Sequence, residues 1–160
     1  MSSGYTTRLG GGGGGSSDVT RYAYFGRSGA IVGGQIVFPL AESAFVTNMP
    51  YLIPENLKVT GVEVLFGSHS SAGASNITFE IREIIGNPNG LGVQIVQGTG
   101  NLVGSASFVT AGASAVGFYK YVINNAISNN ISQGNYLSCF CSLNTASITD
   151  VIVSVKLSNQ

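Results

Sequence analysis

The sequence predicts an all-β protein: an antiparallel two-sheet sandwich over residues 20–160, preceded by a glycine-rich N-terminal arm over residues 1–19. Three observations carry this. From Thr20 onward, apolar residues recur at every second position, the period of a strand that buries one face. Clusters of Gly, Asn, Pro and Ser interrupt that pattern at short intervals, as turns do. No stretch carries the i, i+3, i+4 spacing of an amphipathic helix of useful length, although Asn124 to Ser132 has room for a short turn. Eight to ten short strands with alternating faces bury their apolar sides by stacking as two sheets.

Taken in order, Gly10, Gly11, Gly12, Gly13, Gly14 and Gly15 form an unbroken run followed by Ser16 and Ser17. Such a run has maximal backbone freedom and nothing to bury, so residues 1–19 are expected to form a flexible tether. Tyr5, Arg8 and Leu9 precede the glycines as a small anchoring peptide, and together with the six glycines they make up the expected assembly arm. Arg21 to Phe25 reads as a short aromatic strand, Ile36 to Phe38 as another ending at Pro39, and Ala44 to Thr47 as a third. Leu57 and Val59 alternate, and so do Val62, Val64 and Phe66, with a one-residue phase slip at Gly61 that marks a β-bulge.

Ile77, Phe79 and Ile81 alternate with Thr78, Glu80 and Arg82, giving one dry and one wet face. Asn87-Pro88-Asn89-Gly90 has turn chemistry, and Val93 and Ile95 follow, so residues 77–96 read as a hairpin. Phe108-Val109 ends at Ala111-Gly112, and Val116 to Ile123 places Tyr119, Tyr121 and Ile123 on one side. Gln133-Gly134-Asn135 turns the chain into Tyr136 to Leu143. Asn144 to Ser147 is expected to turn it again into Ile148 to Leu157, where Val151, Val153, Val155 and Leu157 share a face opposite Asp150, Ser154 and Lys156.

Composition narrows the function. Charged residues are 9% of the chain, against ~25% in ordinary soluble proteins, and seven basic side chains balance seven acidic ones. They are scattered, so neither nucleic acid nor an anionic membrane finds a basic stripe to bind. Low charge at zero net charge promotes association, which suits a surface meant to be covered in an assembly. No apolar run approaches the ~18 residues of a membrane span. Met1 to Gly15 is neither apolar nor patterned as a cleavable leader, so export by a signal peptide is not expected.

The chain contains no Trp and no Cys pair bracketing one, which removes the immunoglobulin hallmarks and favours a jelly roll. Three segments carry a resemblance: Ile131-Ser132-Gln133-Gly134-Asn135-Tyr136-Leu137, the closing run Ser147 to Val155, and the extended lead-in and bulged strand from Pro54 to Phe66. Over residues 30–158 the pattern resembles the jelly-roll domains that end collagen-like or glycine-rich stalks in bacterial spore-surface filaments and phage fibres. The resemblance implies a trimeric head with a structural or attachment role and no catalytic residues. The sequence departs from that group in having no Gly-X-Y repeat. A short polyglycine arm in its place favours a small head anchored near a particle surface.

Catalytic and metal chemistry have little material. His69 sits in Gly67-Ser68-His69-Ser70-Ser71, with no acid nearby in sequence to orient its ring and no nucleophile elbow. The expectation for His69, Ser70 and Ser71 is an exposed loop that meets a receptor. One His and two Cys fall short of a zinc site, two Asp short of a calcium cage, and no Lys follows the glycines as a phosphate loop requires. No cofactor is expected. Cys139 and Cys141 share a strand face with Leu137 and Leu143 and read as small buried packing, with an inter-chain disulfide as the alternative. Glu80 and Glu83 fall on opposite faces, and Glu80 can pair with Arg82.

Tyr22, Tyr24, Tyr119 and Tyr121 are the candidate interface, with a carbohydrate-stacking platform as the alternative for the last two. The expectation is a virion structural protein: a phage capsid-decoration, head-fibre or tail-fibre component. It self-associates as a homotrimer, docks on other particle subunits through its arm and meets a host glycan through outer loops. A bacterial spore or cell-surface filament subunit is the alternative, a carbohydrate-binding module comes third and an enzyme last.

Overall fold

The last strand, β9 (Tyr136–Asn159), passes through both layers of the fold and organises it. The computed structural model describes residues 20–37, 51–67, 69–71, 75–86, 100–110 and 120–160. Within them the elements are β1 (Arg21–Val37), β2 (Tyr51–Leu52), β3 (Leu57–Phe66), β4 (His69–Ser71), β5 (Ser75–Ile84), β6 (Asn101–Thr110), β7 (Lys120–Asn124), β8 (Asn129–Ile131) and β9. All pairings among them are antiparallel, and the described residues contain no helix.

The first part of β9, residues 136–143, pairs with β5, which pairs in turn with β6. The second part, residues 152–159, pairs with β3, which carries β7 and β8 on its far edge. Along the other side of β9 runs β1, matched from Arg21↔Leu157 to Val37↔Phe140, and β2 continues that line at Tyr51↔Leu137. β1 and β9 therefore cross together from one layer to the other. One layer is ordered β7-β3-β9-β1 and the other β6-β5-β9 with the end of β1, joined by two continuous strands into a sandwich.

The crossing is where sequence and structure part. The turn expected at Asn144 to Ser147 does not form, and β9 continues through it. The cause is a partner: β1 keeps pace across a register shift, pairing Gly34 with Leu143 and Val32 with Ser147, so the extra residues of β9 bend the strand instead of reversing it. The aromatic segment Arg21 to Phe25 likewise extends to Val37 as one strand for the same reason. Of the expected hairpin over 77–96, the first strand is β5, which pairs with β6 on one edge and β9 on the other. Val93 and Ile95 of the second strand, the turn Asn87 to Gly90, the segment Ala44 to Thr47 and the arm 1–19 lie outside the described residues.

The other rows behave as their spacing dictates. Ile77, Phe79 and Ile81 are buried, as are Val151, Val153, Val155 and Leu157. The phase slip at Gly61 is a register shift against β9, with Val59 opposite Leu157 and Gly61 opposite Lys156. Gln133-Gly134 forms the expected turn: Asn135 donates its N–H to the Ser132 carbonyl at 3.2 Å and Gly134 takes φ 82°. Phe66 bridges the layers, its ring 6.1 Å from that of Phe79 and 5.7 Å from that of Phe108. β6 lies so close over β3 that a Cβ on Gly104 would stand 3.0 Å from Val62 Cγ2 and 3.3 Å from Ile127 Cδ1.

Candidate functional site

The outer face of the β7-β3-β9-β1 layer is built by strict alternation. Register places Tyr121 beside Leu65, Leu65 beside Ile152, and Ile152 beside Gly26. One step along the strands, Ile123, Glu63, Ser154 and Tyr24 form a second row, and beyond it Lys156 stands beside Tyr22. Side chains opposite one another in an antiparallel ladder point to the same side, so these residues make one surface across four strands. It is unusually apolar for a wet face: Tyr121 is 55% exposed and Ile152 50%, and Leu65, Ile123 and Tyr24 are exposed as well.

Polar chemistry on this face is sparse. Tyr22 and Tyr24, two residues apart on β1, stack with centroids 6.0 Å apart and planes 22° from parallel. Desolvation on the sheet first, then the interaction with the neighbouring Glu63 carboxylate, push the Tyr121 phenol above the ordinary tyrosine pKa. Lys58 and Lys156 are half-buried toward the opposite end of the same strands from Leu65 and Ile152.

Of the residues singled out from sequence, Tyr22, Tyr24 and Tyr121 do share one face, with the first two on one edge strand and the third on the other. Tyr119 lies outside the described residues. So does the whole expected assembly arm: Tyr5, Arg8 and Leu9, and the glycines Gly10, Gly11, Gly12, Gly13, Gly14 and Gly15. His69, Ser70 and Ser71 are corrected from loop to strand: β4 pairs His69 with Ile148, Ser70 with Ser147 and Ser71 with Ala146. The backbone linking β3 to β5 is held there because β9, at its crossing, has an edge that neither of those strands covers. Leu65, Ile152 and Glu63 were missed. Their signal was present in each case as a side chain in the wet phase of an alternating strand, and for Leu65 and Ile152 it was a large apolar one.

Two polar groups elsewhere are structural. Glu83 is buried on the face opposite Glu80, as its odd spacing dictates. Its Oε1 accepts from the Ser132 N–H at 2.7 Å and from Asn135 Nδ2 at 2.8 Å, fixing the turn before β9. On the wet side, Arg82 Nε donates to Glu80 Oε2 at 2.9 Å. Cys139 and Cys141 are buried free thiols in the inward row with Leu137 and Leu143. Burial pushes the Cys139 thiol well above its ordinary pKa, with the neighbouring Cys141 adding to it, and burial pushes Cys141 up to about 12. Among the described residues, no group of three His, Cys, Asp or Glu is placed to hold a metal ion. In comparisons with known proteins, the chain matches no protein-family model and no curated protein.

Proposed function

We propose that the chain is a non-enzymatic structural subunit of a virus particle, a capsid-decoration or fibre-head protein, that assembles with copies of itself through the outer face of the β7-β3-β9-β1 layer. The observation that carries this reading is the apolar content of that face, where Tyr121, Ile152, Ile123, Leu65 and Tyr24 are all exposed on one surface. In a chain with so few charges, such a surface is stable in water chiefly when something covers it.

The face, and not the edge, is the assembling element. The edge strand β1 is blunted against strand addition by Arg21, which is ion-paired with Glu55, by the exposed Arg27, and by a bulge between Arg27 and Ala30. The order β7-β3-β9-β1 in one layer and β6-β5-β9 with the end of β1 in the other is compatible with a double-sheet jelly roll. A homotrimer with the arm 1–19 docked on the particle is the assembly this reading favours.

The mass of the full-length chain by light scattering, with negative-stain imaging, tests it. A stable trimer supports the fibre-head reading. Ordered filaments point instead to a spore or cell-surface appendage, and a monomer at every concentration overturns self-assembly. The Tyr22–Tyr24 stack favours one second reading, a sugar-stacking platform of a carbohydrate-binding module. Binding of the isolated protein to a glycan array, lost in Y22A/Y24A, would establish that reading.

A further inference from the structure

Resting on the self-assembly reading, we infer that Glu63 and Lys156 form an ion pair between copies that sets the register of the assembly. Glu63 lies within the apolar outer face, beside Ile123 and Ser154 and one step from Leu65 and Ile152. Lys156 is its diagonal neighbour on the same face, two residues beyond Ser154. Among the described residues the ion pairs are Arg21 with Glu55 and Arg82 with Glu80, and neither Glu63 nor Lys156 belongs to one.

Covering this face removes Glu63 from water. A carboxylate so buried needs a cation, and among the described residues no ion pair within the chain supplies one. The face supplies its own cation: a second copy brings a Lys156 for each Glu63, and the interface closes electrically neutral. A partner of other chemistry would have to provide both a cation over Glu63 and an anion over Lys156 within one diagonal step. A second copy meets that requirement without any further element. The pair thus serves as the registry device in an otherwise greasy contact, where apolar surfaces alone would slide.

The test is charge reversal with rescue, read by the light-scattering mass of the full-length chain over a concentration series, with circular dichroism to confirm that the sheet is intact. E63K and K156E each place like charges across the contact, so each is expected to raise the concentration needed for assembly at least about 30-fold. E63K/K156E restores the opposite pairing and is expected to recover most of the wild-type mass. Single variants that assemble as the wild type does, or a double variant as weak as the singles, overturn the pairing while leaving self-assembly standing. A wild type that is monomeric at all concentrations overturns both.

Discussion

Asp150 Oδ1 accepts a hydrogen bond from the Gly29 N–H at 2.9 Å, joining two residues that both take left-handed backbone, φ 50° at Asp150 and 83° at Gly29. They face each other where β1 slips register against β9 between Arg27 and Ala30. The bulge and its partner kink together, and the carboxylate locks the kink.

Substitutions separate the two contributions. A Cβ on Gly29 meets nothing within 4 Å, so G29A suffers dihedral strain alone and is expected to cost ~1 kcal/mol. D150N keeps an acceptor and a residue type at home in this conformation, and should stay within ~0.5–1 kcal/mol of wild type. D150V combines β-branched strain with the lost bond and is expected to cost ~2–3 kcal/mol. Urea unfolding monitored by circular dichroism reads all three.

Gly104 sets the distance between the layers. G104A places a methyl group 3.0 Å from Val62 Cγ2, tighter than a packed core accepts without shifting. The expected cost is ~1–3 kcal/mol, and G104V should exceed it. Trimming the opposing side chain in V62A/G104A should be less destabilising than the sum of the two single variants, which a double-mutant cycle on urea midpoints measures.

Glu83 tests the turn before β9. E83A leaves the Ser132 N–H and the Asn135 side-chain amide without their acceptor, at an expected total of ~2–4 kcal/mol. E83Q retains an acceptor oxygen and should lose about half as much. Hydrogen exchange should show the loss first as faster exchange at Ser132.

The two thiols give a pH dependence of definite sign. Their folded-state pKa values lie above the unfolded value of ~8.5, Cys141 at about 12, so the native state holds protons that the unfolded state releases. Stability from this source is complete below ~8.5 and declines as pH rises toward 12. A C139A/C141A variant should show a shallower alkaline decline. At about pH 8, iodoacetamide should leave the native protein unmodified and label both cysteines once urea unfolds it.

Local pattern made much of this fold legible. The Gly61 slip, the Ile77-Phe79-Ile81 row, the opposite placement of Glu80 and Glu83, and the Gly134 turn all follow from period-two alternation and turn chemistry. The Asn144 to Ser147 crossing was not legible, because its cause is β1, which lies far away in the sequence. Asn, Thr and Ser in sequence look the same whether a chain reverses or bends beside a partner. The candidate face was half legible. Its tyrosines stand out by type, whereas Ile152 and Leu65 become surface residues only once register places them beside Tyr121 on a single sheet.

The most direct test of self-assembly through this face is the light-scattering mass of L65D/I152D against wild type over a concentration series. Both side chains are exposed in the single chain. Because they stand opposite one another, the two carboxylates repel, so circular dichroism is read alongside to show that the sheet is intact. Wild type is expected to be a multimer and the variant a folded monomer. A variant that assembles as wild type does would contradict self-assembly through this face and place the contact elsewhere on the molecule.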